Sequence, residues 1–463
     1  MLDNNLKIAK LWQKYYLQNN YYHQDIHRLV KKIIPPDASI LEFSSRGGEL
    51  LAELPNKNKT ASEFDNGLLQ LLYSKNKKTR VIDAKKLPSR SKKKYDYILL
   101  SHTLSEIDNI QDFIGKIKVL CRDDTKIVVF HFNYLWKPLL DTVEVLGLIM
   151  PSQKEPNWLS QSDIDNFFIL ESFVKVKQGQ SFLFPFFVPF VSDLLNRIFS
   201  QIPPFSYFCL TRYAVYKPIK EKKDFSVSII IPARNEAGNM KRIFNKIPSL
   251  GTSTEIIFVE GHSRDDTYAT IKKEIANYKG PLKASLCKQK GKGKGNAVRL
   301  GFSKAHNELL MILDADLTVD PKELPKFYCA VRDGIADFVM GSRLVYPMEK
   351  LAMRTLNIFG NKFFSIAFSF LLDQRIKDTL CGTKVLFRKD YLMIAKNRKF
   401  FGDFDPFGDY DLIFGASRLN LKIVEVPIRY KERTYGKTNI SRFRHGLLLL
   451  QMVLFAARKL KFN

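Results

Sequence analysis

Hydrophobic and polar positions alternate along this chain with two periods. Short apolar, strand-like runs recur through both halves: Ser39–Phe43, Lys59–Glu63, Tyr97–Leu100 and Lys126–Phe130, then Val227–Ile231, Glu255–Val259, Leu309–Leu313 and Phe338–Met340. Between them lie segments with apolar residues at helical spacing: Gly67–Tyr73, Ile110–Leu120, Met240–Ile247, Asn296–His306 and Pro321–Val331. Strands separated by roughly 10–15-residue helical patterns predict βαβ units and a parallel sheet in each half. In such sheets ligands bind at the carboxyl ends of strands, so the residues after each run are where chemistry is sought. The pattern breaks at the charged, proline-containing run Lys217–Asp224. The expected organisation is a domain over 1–218, a linker over 219–225 and a second domain over 226–463.

Composition sharpens this picture. The 463 residues are 45% hydrophobic and 13% aromatic, enough for two or three packed cores and inconsistent with a disordered or collagen-like chain. Lys and Arg total 74 against 47 Asp and Glu, a net charge of +27 that calls for an anionic partner: lipid, phosphorylated substrate or nucleic acid. Charge alone does not choose among them. The five scattered cysteines form no C-x-x-C pair, which argues against a disulfide framework or zinc ribbon and suits a reducing, cytoplasmic setting. The N-terminus is too polar for a secretory signal. No run reaches the ~18–20 apolar residues of a spanning helix. The nearest, Phe182–Phe199, is broken by Pro185, Pro189, Asp193 and Arg197.

The sharpest chemical signal is Leu309–Asp316, an apolar run ending in Asp314, Ala315 and Asp316. Hard divalent cations take such carboxylate oxygens, with a diphosphate completing the shell. Alone, an Asp-x-Asp fits a solvated turn better than a metal site. Its neighbours reverse the balance: SVSIIIPARNEAGN (226–239), EIIFVEGHSRDDT (255–267) and KQKGKGKGNAVRLGF (288–302) precede it in order. In this order and spacing, about 225–463 resembles the family 2 glycosyltransferases of the GT-A fold, within them the dolichyl-phosphate mannose synthase-like branch. The resemblance implies that Pro232, Ala233, Asn235 and Glu236 line a nucleotide pocket. It implies that Glu260, standing where the family has the first Asp of V-D-D-G-S, accepts hydrogen bonds from the base. It also implies that Asp314 and Asp316 hold Mg²⁺ or Mn²⁺ against the diphosphate of a GDP- or UDP-linked sugar. Lys292 and Lys294 sit in a Lys/Gly loop read equally well as a phosphate contact or a mobile basic hairpin. Arg343 stands where an acceptor phosphate is met, Asp378 is the pointed acid of the 376–390 segment, and Asp409 and Asp411 stand where relatives carry an acceptor-facing acid. One of those two is expected to function; the other reading for both is an acidic first helical turn. The amphipathic stretches Leu351–Leu372 and Gly446–Lys461, with Arg429, Lys431, Arg433, Lys437, Arg442 and Arg444 ahead of the second, read singly as core helices. Together with the charge they point to peripheral binding at an anionic membrane surface, with a lipid phosphate acceptor and no nucleic acid.

The first half, about 35–215, resembles class I S-adenosylmethionine methyltransferases. DASILEFSSRGGELLAEL (37–54) stands for the L-E-x-G-x-G-x-G motif, with Glu42 and Gly48 retained and Ser44 and Arg46 at the first two glycine positions. The resemblance implies that Glu63 binds the ribose and Asp83 lies beside the adenine. Arg46 puts a long charged side chain where the cofactor's methionine portion should lie, so the domain either binds S-adenosylmethionine in an adjusted loop or is a structural or regulatory relic. His102 and Glu106, one helical turn apart, read either as lining the active cleft or, more readily, as a surface helical pair. The sequence therefore points to two α/β domains, a Rossmann-like methyltransferase fold and a GT-A fold. The expected activity is metal-dependent transfer of a hexose, inverting as the resemblance implies, to a polyprenyl phosphate or lipid-linked or cell-surface glycan on the inner face of the membrane, with methyl transfer open as an accessory activity. Two alternatives stand beside it: an S-adenosylmethionine-dependent methyltransferase acting on a glycan, and a non-catalytic basic lipid-binding scaffold.

Overall fold

The computed structural model describes residues 2–75, 79–151, 156–346, 355–398, 408–433, 435 and 442–462, without the side chains of 2–6, 355–359 and 442–445. The chain forms two compact units, Met1–Ile219 and Lys220–Lys461. Residues 220–224 dock on the second unit: Lys220 Nζ pairs with Asp337 at 2.7 Å, and Tyr328 Oη donates to Asp224 at 2.7 Å.

In the first unit β1 (Ile40–Phe43), β2 (Lys59–Glu63), β3 (Arg80–Asp83), β4 (Tyr95–Ser101), β5 (Cys121–Phe132), β6 (Phe173–Ser181) and β7 (Thr211–Pro218) form one sheet. Its order is β3-β2-β1-β4-β5-β7-β6. β1 to β5 are parallel, whereas β7 runs antiparallel to both β5 and β6. The expectation of a wholly parallel sheet is thus corrected at one edge. There β6 and β7 are joined by a long 182–210 connection rather than by a crossover helix lying on the sheet.

The second unit holds β8 (Val227–Ala233), β9 (Thr254–Glu260), β10 (Lys283–Lys288), β11 (Leu309–Ile312), β12 (Phe338–Ser342), β13 (Lys384–Phe387) and β14 (Ile423–Pro427). The order is β10-β9-β8-β11-β13-β12-β14, parallel except that β13 runs antiparallel between β11 and β12. Alternating side chains feed two cores. Val227, Ile229 and Ile231 face one layer and Ile230 the other; Leu309 and Met311 oppose Leu310 and Ile312 in the same way. Strands buried on both faces read as continuous apolar runs, which is why they were legible.

Two C-terminal helices cover one face of this sheet. Thr355–Leu372 buries Phe364, Phe368 and Leu371 but exposes Phe363 and Ile366. Arg442–Leu460 buries Leu449, Met452 and Ala456 but exposes Leu447, Leu450 and Leu454. Both are core helices with an apolar remainder. Among the described residues no helix is long and apolar enough to cross a membrane. Leu351–Arg354 and Lys437, and the side chains of Arg442 and Arg444, lie outside the described residues.

Candidate functional site

In the second unit the strand order reverses direction between β8 and β11, and the loops beyond β8, β9 and β11 converge there. After β8, Ala233 is buried and accepts the Gly261 N–H at 2.9 Å. Asn235 adopts φ +56°, donates its N–H to Ser263 Oγ at 3.0 Å and accepts the Arg264 N–H on Oδ1 at 2.8 Å. Asn tolerates this left-handed backbone because its short amide bonds locally. The loop that follows Pro232 and Ala233 is thereby clasped to the β9 loop. Glu260 ends β9 almost fully buried, and Oε1 accepts the Ser263 N–H. One carboxylate oxygen thus serves its own turn.

Beyond β11, Asp314 and Asp316 stand half-buried with Ala315 buried between them. Neither faces the other's charge bare. Lys294 Nζ, in the first residue of the Lys294–Lys304 helix, meets Asp314 Oδ1 at 2.5 Å. Arg433 reaches Asp316 Oδ2 with Nη2 at 2.7 Å and Glu236 Oε1 with Nη1 at 2.8 Å. Burial pushes the Asp314 carboxyl up, but Lys294, helped by Lys384 and Arg343, holds it below its usual range, so it is ionised. Burial lowers the Lys294 ammonium, yet Asp314, then Asp409 and Asp316, raise it overall. Lys294 is therefore the hub of three acids and no solvated hairpin residue, whereas Lys292 is exposed. Burial raises Glu236 to about 7 against the pull of Arg433 and Asn239.

The acceptor-side residues are rearranged relative to expectation. Asp378 is fully buried and grips Arg343 through Nε at 2.7 Å and Nη2 at 2.8 Å. It also accepts the Arg343 N–H at 3.0 Å and Asn361 Nδ2 at 3.1 Å. Asp378 thus anchors Arg343 from inside the unit; Arg343 lies 5.1 Å from the Tyr430 ring centroid. Asp409, preceding the Tyr410–Arg418 helix, meets the fully buried Lys384 at 2.7 Å. Asp411 faces away, toward Arg398 at 3.1 Å and Arg299 at 3.5 Å. Of the two acids only Asp409 shares the Lys294 neighbourhood.

Sequence reasoning missed Arg433, Lys384 and Gly382 as parts of this site. A Cβ on Gly382 would stand 2.1 Å from Asp314 Oδ2 and 2.3 Å from Lys294 Nζ, so the residue is glycine for want of room. As to a metal, no group of three or more His, Cys, Asp and Glu closes around a point among the described residues. Two carboxylates are hard oxygen donors and suit a Mg²⁺ or Mn²⁺ ion that takes the rest of its shell from a diphosphate and water.

In the first unit, Ser44 (φ +53°), Arg46 (φ +54°) and Gly48 (φ +80°) all keep left-handed backbone after β1, although only one is glycine. The Arg46 guanidinium crosses the β1/β4 switch point to pair with Glu106 and lies 5.8 Å from the Trp12 ring. Its N–H bonds Glu63 Oε2 at 2.9 Å, while Oε1 takes the Phe64 N–H at 2.8 Å. Glu63 is fully buried, and Glu42, accepting from Ser101 Oγ at 3.1 Å, nearly so. Burial raises Glu42 to about 8. Asp83 is half-buried and caps the next turn through the Lys85 N–H at 2.9 Å. The Arg46–Glu106 pair, with Trp12 beside it, thus stands just beyond β1, at the strand end where ligands bind in such sheets. His102 and Glu106 are not a helical pair: His102 is left-handed, bonds Tyr22 Oη at 2.6 Å and stacks on Phe132 at 4.1 Å.

Comparison with known proteins supports this division. Residues 228–393 match the model described as glycosyl transferase family 2, and residues 13–168 match a methyltransferase domain. A dolichol-phosphate mannosyltransferase of Pyrococcus furiosus is 35% identical over 121 residues, covering 26% of this chain and 33% of the relative. Glycosyltransferase AglJ of Haloferax volcanii is 27% identical over 223 residues, covering 48% and 68%. An undecaprenyl-phosphate 4-deoxy-4-formamido-L-arabinose transferase of Klebsiella pneumoniae is 23% identical over 242 residues, covering 51% and 68%. The chain thus spans only a third of the mannosyltransferase and about two thirds of the other two.

Proposed function

With a glycosyl transferase family 2 domain in its second unit and a methyltransferase domain in its first, the chain is, we propose, an inverting glycosyltransferase. It moves a hexose from a GDP- or UDP-linked donor to a lipid phosphate at the inner face of a membrane. The observation that carries this reading is the meeting of Ala233–Glu236, Glu260, Lys294, Asp314 and Asp316 beyond β8, β9 and β11. Two of the relatives are named for polyprenyl-phosphate substrates, which supports the acceptor class.

The β8 and β9 loops hold the nucleotide, and Lys294 and Arg433 carry positive charge to the diphosphate. Asp314 and Asp316 would hold Mg²⁺ or Mn²⁺, which supplies Lewis-acid stabilisation of the departing nucleotide. Arg343, held rigid by Asp378, is set to meet the acceptor phosphate. A phosphate acceptor is already anionic and needs little base catalysis, which agrees with Asp409 being occupied by Lys384. Exposed Phe363, Ile366, Leu447 and Leu454, near the basic Arg458 and Lys459, favour a peripheral membrane position. No methyl-transfer step is assigned to the first unit, whose Arg46 is paired with Glu106 beyond β1.

The test is a screen of UDP- and GDP-sugars with Mn²⁺ and polyprenyl phosphates, following radiolabel into the organic phase. Label should appear with one donor and vanish in Asp314→Asn/Asp316→Asn. Full activity in that double variant, or no label with any donor, overturns the reading.

A further inference from the structure

The connection between β6 and β7 is built inside out. In the short helix Val191–Arg197 and the turn after it, the polar residues Ser192, Asn196 and Ser200, four apart, are at most 2% exposed. The apolar residues of the same stretch face outward. Phe186 is 68% exposed, Phe187 69% and Phe190 91%, and Leu194, Tyr207 and Phe208 are each about half exposed or more. A surface element in water shows the opposite pattern. A patch of this extent on a soluble protein marks an interaction surface.

The buried polar residues shut the backbone away from the outside. Ser192 Oγ donates to the Phe186 carbonyl at 2.7 Å and accepts the Val188 N–H at 2.6 Å. Asn196 Oδ1 accepts the Phe184 N–H at 2.7 Å, and its Nδ2 donates to the Phe184 carbonyl at 2.8 Å. Pro185 and Pro189 bring no N–H at all. The only ionised side chains between β6 and β7, Asp193 and Arg197, lie 3.3 Å apart and neutralise each other. A protein partner would not require this inward closure of peptide groups. A hydrocarbon medium does, because it holds no water to satisfy an unpaired peptide group. Residues 1–219 carry 30 Lys and Arg against 22 Asp and Glu, a net +8 that suits anionic headgroups.

We infer that the 184–208 segment of the first unit is a membrane-insertion element, with Phe186, Phe187 and Phe190 entering the interfacial region of an anionic bilayer. The inference does not rest on the sugar-transfer reading, and its test needs neither donor nor polyprenyl lipid.

The full chain is floated with vesicles of phosphatidylglycerol and phosphatidylcholine, beside Phe186→Ser/Phe187→Ser/Phe190→Ser and Leu447→Ser/Leu450→Ser/Leu454→Ser. The three phenylalanines are mostly in solvent, so thermal unfolding should be unchanged while vesicle partition falls at least tenfold. Phe190→Trp should show a blue-shifted emission that lipid-borne quenchers reduce. Three results overturn the inference: flotation of the Phe variant equal to wild type, loss confined to the Leu variant, or a wild-type dimer that the Phe variant splits while flotation persists. The last would assign the patch to a second copy of the chain.

Discussion

Gly382 shows how far single residues of this site were readable beforehand. Asp314 and Asp316 announced themselves because they end a strand side by side. Nothing local marked Gly382 as the wall behind Asp314, or Arg433 as the cation joining acids 117 and 197 positions away. Gly382→Ala should cut donor turnover at least tenfold while far-ultraviolet circular dichroism stays native, since the added methyl strikes the Asp314–Lys294 pair. Unchanged turnover would mean that this pair is not at the reacting centre. In the first unit Ser44 and Arg46 hold a glycine-type conformation that costs an L-residue roughly 1–2 kcal/mol. Arg46→Gly should therefore open the cleft without unfolding it, and calorimetry should detect S-adenosylmethionine binding in the variant but not in the wild type. Glu42 adds a pH signature. Its folded pKa of about 8 lies above the unfolded 4.5, so its contribution is full below 4.5 and is lost as pH rises toward 8. Glu42→Gln should flatten the thermal midpoint over that window; an unaltered pH profile would show that Glu42 is ionised in the fold.

At the level of elements, strands buried on both faces were visible as apolar runs, and helices as 3.6-residue periods between them. β13 was not assigned, because Lys384–Phe387 is four residues long and starts with a lysine. That lysine is the reason the strand matters. Lys384 is wholly buried and answered by Asp409 from the start of the Tyr410–Arg418 helix, so the pair ties β13 to that helix. Removing one partner of such a pair leaves a stranded charge and costs about 3–5 kcal/mol. Asp409→Ala should lose stability of that order in urea unfolding, and Lys384→Met/Asp409→Leu should recover most of it. A stable Asp409→Ala variant lacking only activity would return Asp409 to a purely chemical role.

For the molecule as a whole, the two units divide between Ile219 and Lys220, and Lys220 and Asp224 are bonded within the second unit. Each unit has its own pair of cores, so calorimetry should resolve two transitions. A nucleotide sugar with Mn²⁺ at 100 times its Kd should raise one of them by about 2.7 kcal/mol of stabilisation and leave the other in place. Movement of both would mean that the units unfold as one. Lys294 and Arg433 carry this further. They already pair with Asp314, Asp316 and Glu236, so these acids do not stand as naked negative charge. Stripping divalent ions with a chelator should then silence turnover yet leave the melting temperature of the unliganded chain untouched, and the protein can wait in an ion-poor compartment without unravelling.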